Sequence, residues 1–439
     1  MKAGTRLTLD ASVRRRGALL IGGSPLRLVR LGGSGARLLQ RWSSGEPVGE
    51  SERERELARR LVRAGLVHPR PPSGPAPADV TLVVPVKDNA AGVRRLLDAT
   101  GELANRVVVD DGSAVPLAEA TVRHDRAMGP AAARNAGWAL ASTPLVAFLD
   151  ADTVPQPGWL DAVLAQFGDD DVVAVAPRVV GAHGHGVLAR YEAHRSSLDL
   201  GPHPAPVRPM SRVSYVPSAA LVVRRDALAA VAGFDTGLRF GEDVDLVWRL
   251  LRIGSVRYEP SATVTHEPRP ALLPWLRQRF EYGTSAAPLS RRHPGLLSCA
   301  RLSVWSAVSW ALLAAGRPLP ALALAAATAA LLPRKLRGRG VPVSESLRLA
   351  GLGHLGAGRL LAEATRRAWW PATLLSGCGR AALLASLLPC VVDSVGRSPA
   401  WLALRVADDL AYGAGVWAGC VRHRTLAPLL PQFTEAAPR

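Results

Sequence analysis

Between Val80 and about Arg269, short apolar runs alternate with helix-like stretches. The runs are Thr81-Leu-Val-Val-Pro-Val86, Arg106-Val-Val-Val-Asp110, Leu145-Val-Ala-Phe-Leu149 and Val172-Val-Ala-Val-Ala176. Such short runs, without polar alternation, suit strands covered on both faces. The stretches between them read as helices, one around Val93–Leu97 and one from Gly129-Pro130 through Ala141, with proline suited to the first turn. Strand and helix in alternation imply an α/β domain built on a largely parallel sheet. Such a sheet binds its ligands outside the carboxyl ends of its strands. The residues that follow each run therefore matter most.

The third run ends in Asp150-Ala-Asp152. A hard divalent cation, Mg or Mn, that bridges a diphosphate takes one or two carboxylates and leaves its other positions to phosphate and water. The first two runs leave the sheet as Val84-Pro-Val-Lys-Asp-Asn89 and Val108-Val-Asp-Asp-Gly-Ser113. Two acids and a Gly-Ser turn can accept hydrogen bonds from a uracil imide or ribose hydroxyls. Either segment alone reads as an ordinary turn; two in register, one strand apart, point to a nucleotide. Gly129-Pro-Ala-Ala-Ala-Arg-Asn-Ala-Gly137 lets a backbone approach closely, and Arg134 suits a phosphate or the base as well as it suits the surface. Gly241-Glu-Asp243 puts Glu242 and Asp243 at a helix start, where acids serve as caps or as a general base. The helix dipole is expected to lower the Asp243 pKa.

This ordered series, with Tyr215-Val-Pro-Ser-Ala-Ala220 and Gly233-Phe-Asp235, resembles the family 2 glycosyltransferases of GT-A fold over residues 80–270. The resemblance implies a metal-dependent, inverting transfer from a UDP-sugar. It puts nucleotide contacts at Pro85, Asp110 or Asp111, Arg134 and Asp150. Metal ligation falls on Asp150, Asp152 and His266, the last in Ala262-Thr-Val-Thr-His-Glu267, and acceptor binding and base catalysis on Glu242 and Asp243. The flanks Gly22-Gly-Ser-Pro-Leu-Arg27, Leu61 to Pro69 and Glu281 to Ala287 are similar to those of the glycosyltransferases of mycofactocin biosynthesis. That likeness implies UDP-glucose as donor, a short β-1,4-glucan as product, and a mycofactocin-type cofactor or its precursor peptide as acceptor.

Outside this domain the chain changes character. Residues 1–70 read as strands at Leu7–Leu9 and Ala18–Ile21, a further strand or helix start at Leu26–Leu31, and helices at Ser34–Trp42 and Glu52–Ala64, and they are similar to small winged-helix modules that bind precursor peptides. Residues 71–79, rich in proline, read as a stiff linker. Residues 271–439 hold apolar runs over Val304–Leu332, Ala368–Val392 and Pro399–Val421, each close to the ~20 residues that cross a bilayer. Arg317, Arg380, Arg405 and Asp408-Asp409 interrupt them. The runs suit a packed helical bundle or attachment to the cell membrane, and the rise in apolar content tips the reading toward the membrane. Arg14-Arg-Arg16 breaks any N-terminal secretion signal, so the catalytic part is expected in the cytoplasm.

The net charge of +18 comes almost wholly from arginine, since only Lys2, Lys87 and Lys335 are lysines. The arginines are scattered and accompany no nucleic-acid-binding signature, which argues against nucleic acid as a partner. Cys299, Cys378, Cys390 and Cys420 have no ligand or redox spacing and read as small buried hydrophobes. Trp275-Leu-Arg-Gln-Arg-Phe280 lacks the Gln-x-x-Arg-Trp of processive synthases, although Arg277 or Arg279 could meet a diphosphate. Alternative readings are a membrane polysaccharide or glycolipid synthase, a peptide-binding scaffold with an inactive transferase domain, and a nucleotidyltransferase. The complete acidic set disfavours the scaffold, and the missing Gly-rich phosphate loop disfavours the nucleotidyltransferase.

Overall fold

A computed structural model describes residues 1–434. The chain forms two compact units, Met1–Pro268 and a second that begins at Arg269. The first opens with a small α+β module: β1 (Arg6–Leu9), β2 (Arg14–Arg16), β3 (Leu19–Gly22), β4 (Arg27–Arg30), α1 (Gly33–Ser43), α2 (Glu52–Arg63) and β5 (Val67–Arg70). β3 lies between β2 and β4, and β5 pairs antiparallel with β1. Leu20, Leu39, Trp42, Leu61 and Leu66 fill its core. α2 contributes Ala58, Leu61 and Val62 from one face, as its three-and-four spacing requires. The proline-rich stretch that follows, expected as a linker over 71–79, is exposed or half-buried throughout and comes close to the rest of the unit at Ser73 and Gly74. A side chain added at Gly74 would meet the Leu164 carbonyl at 2.0 Å, and one at Gly168 would meet the Ser73 carbonyl at 2.2 Å.

The rest of this unit runs β6 (Val80–Val86), α3 (Ala90–Ala99), β7 (Asn105–Asp110), β8 (Val122–Arg123), α4 (Pro130–Ala139), β9 (Leu145–Leu149), β10 (Thr153–Pro155) and α5 (Trp159–Gln166). It continues through β11 (Val172–Gly181), α6 (Val187–Arg195), β12 (Ala205–Pro206), β13 (Ala220–Arg224), α7 (Arg225–Ala230), α8 (Glu242–Leu250) and β14 (Ser255–His266). Nine strands form one sheet in the order β10-β14-β11-β13-β9-β6-β7-β8, with β12 on β14. β8, β7, β6 and β9 are mutually parallel, and β13 runs against both β9 and β11. The result is a GT-A-like α/β domain with a mixed sheet. Its central strands are buried, with Leu82, Val84, Leu145, Ala147, Val175 and Val222 closed to solvent. A side chain at Gly137 would meet Val83 Cγ1 at 2.3 Å, so α4 can lie directly on β6 only because that position is bare.

The second unit is helical: α9 (Leu272–Thr284), α10 (Ala286–Arg292), β15 (Arg301–Leu302), α11 (Val304–Ala314), α12 (Pro318–Leu336), α13 (Val343–Ala364), α14 (Trp370–Thr373), α15 (Gly377–Ala385), α16 (Leu388–Asp393), α17 (Pro399–His423) and β16 (Gln432–Phe433). The three apolar runs fare differently. The first breaks at Gly316 (φ 71°) into α11 and α12. The second is cut into α14, α15 and α16, each too short to span a bilayer. The third is the single helix α17, which buries Asp409 against Arg366 Nε, Arg367 Nε and Arg405 Nη1 at 2.7, 2.7 and 2.6 Å. Burial alone would raise the Asp409 pKa, but Arg367, Arg405 and Arg366 hold it down at about 2. Among the described residues one helix, Pro318–Arg339, is long and apolar enough to cross a membrane, and only 11% of its apolar window is buried. Arg277 is exposed and paired with Glu281, whereas Arg279 is buried against Asp408 and the Trp275 ring. Cys390 and Cys420 are buried, but Cys378 is exposed, contrary to the sequence expectation.

Candidate active site

The carboxyl ends of β6, β7 and β9 carry the first set of acids. Pro85 lies buried within β6 opposite Val109, so its side chain does not reach the edge. The edge there belongs to Asp88, which sits at φ 55°. Its N–H donates to Ser113 Oγ and its carboxylate accepts from Ala114 N–H, both at 2.8 Å, so the β6 and β7 loops are laced together. Asp110 is fully buried and accepts from Ser113 N–H at 2.8 Å, Leu117 N–H at 3.3 Å and the Arg123 guanidinium. Burial would raise its pKa, but these donors more than offset that and hold it below the usual carboxylate range. Asp110 therefore builds the turn and is closed to a nucleotide. Asp111 accepts from Met128 N–H and Gly129 N–H at 2.8 Å each and pairs with His124 Nδ1 at 2.7 Å, which draws the chain leading into α4 against the turn.

Asp150 and Asp152 leave β9 on a tight turn in which Thr153 N–H and Oγ both donate to the Asp150 carbonyl. β10 then pairs antiparallel with β14, Thr153 opposite His266. That register brings His266 Nε2 to 3.5 Å from Asp152 Oδ2. Burial would lower the His266 pKa, yet Asp152, Asp150 and Glu192 outweigh it and raise it. Among the described residues no group of three or more histidine, cysteine or acidic side chains forms a ready metal site. Asp152 and His266 do supply two converging donors of the hard oxygen and imidazole type, which fits a cation that completes its shell with phosphate and water.

Arg134 departs from the sequence expectation. Its side chain is buried, with Nη2 on Asp150 Oδ1 at 2.7 Å and Nη1 on Glu242 Oε1 at 2.9 Å. The Phe234 ring lies 5.4 Å from its guanidinium carbon. These partners fix Arg134 as a bridge between the two acid pairs, so it is not turned out toward a phosphate or base. Burial would lower its pKa, but Asp150 and Glu242 raise it instead. Its neighbour Asn135 donates to the Phe234 carbonyl at 2.7 Å and accepts from Phe234 N–H at 2.9 Å. The sequence pattern gives neither Asn135 nor Phe234 a role; the adjacent Arg-Asn pair and Gly-Phe-Asp triplet are their only signal.

Glu242 and Asp243 open α8 after Gly241, which caps it at φ 79°. Asp243 Oδ1 accepts from Val244 N–H at 2.8 Å. The helix start does not lower the Asp243 pKa as expected: burial dominates and raises it. Glu242 is pushed up to about 7, first by burial and then by Asp243. Asp150 is likewise raised by burial and by Asp152, against the pull of Arg134. The site thus joins a half-open pair at the sheet edge, through one guanidinium, to a second pair in which Glu242 is buried and Asp243 half-buried, both with raised pKa values. Such an arrangement can hold a diphosphate on one side and accept a proton on the other.

A fold with this edge and these acids defines a nucleotide-sugar transferase, and residues 81–229 match the family model "Glycosyl transferase family 2". Over 95% of its length, and 95% of the other's, the chain is 42% identical to the pre-mycofactocin glycosyltransferase of Mycobacterium tuberculosis. It belongs to glycosyltransferase family 2, among the relatives of that enzyme. It is also 34% identical over 143 residues to the succinoglycan biosynthesis protein ExoU of Rhizobium meliloti, covering 28% of this chain and 42% of that one. A solved mannosyltransferase from Pyrobaculum calidifontis, in complex with GDP-Man and Mn2+, aligns with 19% identity and a TM-score of 0.38 over 65% of this chain and 90% of that one.

Proposed function

We propose that the protein transfers glucose from UDP-glucose to a hydroxyl of pre-mycofactocin, with inversion, and that it extends the product as a short β-1,4-glucan. The carrying observation is the bridge from Asp150 through Arg134 to Glu242, with Asp243 beside it. It sets a donor edge and a buried base pair in one contiguous cluster. In this reading the acceptor oxygen attacks the anomeric carbon as its bond to the UDP oxygen breaks, and Asp243 takes the hydroxyl proton. A positioned carboxylate contributes ~10²–10⁴ to such a step. The raised Asp243 pKa suits the task, because a more basic carboxylate holds the proton better. Glu242 orients the acceptor, and Asp111 lies at the uridine side. Asp152 and His266 would hold the divalent cation, which supplies charge neutralisation for the departing diphosphate. The acceptor assignment is supported by the 42% identity to a relative whose name states that acceptor.

In the same reading the chain attaches to the cytoplasmic face of the cell membrane through Pro318–Arg339. Support comes from its length, its low burial, and Arg334, Lys335, Arg337 and Arg339 at one end, suited to anionic headgroups. Mass spectrometry of products from purified protein, pre-mycofactocin and a panel of UDP-sugars tests the donor and acceptor. Asp243→Asn should lower transfer by at least ~10²-fold while UDP affinity holds. Retained transfer, or lost UDP binding, would remove Asp243 from the base role.

A further inference from the structure

The first unit holds a second chain of contacts that ends at α8, the helix whose first turn carries Asp243. It starts in the small N-terminal module, where Asp10 is buried with His68. His68 Nε2 lies 2.8 Å from Asp10 Oδ2, and Ser12 N–H donates to Asp10 Oδ1 at 2.9 Å. The same Asp10 Oδ2 receives Arg212 Nη2 at 3.0 Å, from 202 residues away. Arg212 Nη2 also donates to the Pro204 carbonyl at 2.7 Å, and its backbone N–H donates to Ser24 Oγ of the module at 2.6 Å. One arginine is therefore gripped by side chain and backbone at once. The grip lies at the base of the segment that leaves β12 and enters β13.

That segment, residues 207–219, has no regular secondary structure over most of its length and is shaped by its own contacts. Arg208 N–H donates to the Val213 carbonyl at 3.0 Å and Ser214 Oγ to the Ser211 carbonyl at 3.0 Å, which closes it into a compact loop around Arg212. Val213, Val216 and Ser218 are buried beyond the grip. Trp248 Nε1 of α8 donates to the Ser214 carbonyl at 2.9 Å. Further along, Ser218 lies buried at the loop's far end, and the Ala219 carbonyl accepts from Asp150 N–H at 3.0 Å. The loop is thus held at one end by the N-terminal module, and at the other it meets α8, through Trp248, and the backbone of Asp150. A loop that fixes the helix carrying a carboxylate sets where that carboxylate points.

We infer that Arg212, anchored on Asp10, is a positioning residue through which the N-terminal module holds the 207–219 loop against α8, the helix whose first turn carries Asp243. The module then acts in the transfer step as well as in any recognition it performs, and the transferase domain is incomplete without it. The inference rests on Asp243 as the base. Arg212 touches no reacting atom in this scheme; it acts through the loop and its Ser214–Trp248 contact with α8.

The test uses the full chain with Arg212→Gln, Asp10→Asn, both together, and Arg212→Lys. Arg63→Gln is the control, since Arg63 joins the module to Asp171 at 3.1 Å in an exposed pair outside the Asp10–Arg212 contact. Two readouts are taken: kcat and KM for UDP-glucose in the transfer reaction, and amide hydrogen exchange over 207–219 without substrate. Arg212→Gln should lower kcat about tenfold, leave KM for the donor within about twofold, and speed exchange in the loop. Asp10→Asn should do the same, and the double variant should be no worse than either single one, because both cut one connection. Arg212→Lys should restore part of kcat, and Arg63→Gln should change neither readout. Unchanged loop exchange in both single variants overturns the inference whatever the activity, as does faster exchange with kcat intact. Should Arg212→Gln fail to fold, Asp10→Asn carries the same pair of readouts. Absence of any transfer by the wild-type protein would count against the proposed substrates, and the exchange measurement would still decide the coupling.

Discussion

Replacing Arg134 with methionine removes the one cation between three buried or half-buried carboxylates. The side chain is 3% exposed and makes two charge-assisted hydrogen bonds, at 2.7 and 2.9 Å. Breaking a buried pair by removing one partner costs about 3–5 kcal/mol when the other charge is stranded. Here the carboxylates have an escape, because Glu242 already titrates at about 7 and can take up a proton. Loss of Arg134 raises that value further, so the variant's folded state binds protons that the unfolded chain at the same pH does not. An acid with a raised folded pKa destabilises as pH rises through the window between its unfolded and folded values. The destabilisation should therefore be near 3 kcal/mol at pH 8 and fall by roughly 1.4 kcal/mol for each pH unit over which one proton is taken up. For a unit of this size that is a drop in Tm of roughly 6–12 °C at pH 8, and clearly less at pH 5.5. Differential scanning fluorimetry of both proteins at the two values measures it. An equal drop at both values, or one below about 2 °C at pH 8, would refute the account of Arg134 as the neutralising bridge.

Transfer by the wild-type protein should rise with pH through about 7, where Glu242 ionises beside the acceptor, and Asp243, itself raised by burial, must also be ionised to take the proton; a rate flat from pH 5.5 to 8 would deny the two acids these roles. Asp152→Ala should abolish metal-dependent UDP-sugar binding in calorimetry, and His266→Ala should weaken it in part, since the two face one another at 3.5 Å. Asp409→Asn should destabilise the helical unit by about 3–5 kcal/mol, seen as an earlier transition in thermal unfolding. Because the Asp409 pKa is lowered from 3.8 to about 2, its contribution is whole above pH 4 and is lost as pH falls through 2.

Much of the catalytic domain was legible because local rules decide it. β9 begins and ends where the apolar run Leu145–Leu149 does, and a run of that length closed by acids has few other fates. Gly129-Pro130 starts α4 for the same kind of reason: glycine adopts the φ of 95° and proline fits the first turn. The apolar runs after Arg269 were less legible, because hydropathy does not register that α14, α15 and α16 are separate short helices. Nor does it register that Asp409 in α17 has three arginine partners.

The sequence by itself determined which acids end strands and which begin a helix, since strand exits and helix starts depend on neighbours a few residues away. Only the tertiary structure decided what those acids can do. Asp110 and Asp111 are adjacent, yet one is sealed inside the turn and the other clamps the chain entering α4. Arg134 meets Asp150 and Glu242 across 16 and 108 residues, and Arg212 meets Asp10 across 202. Burial raises the Asp243 pKa against the pull of Arg134 and of the backbone donors at the helix start, because removing a carboxylate from water disfavours its charge.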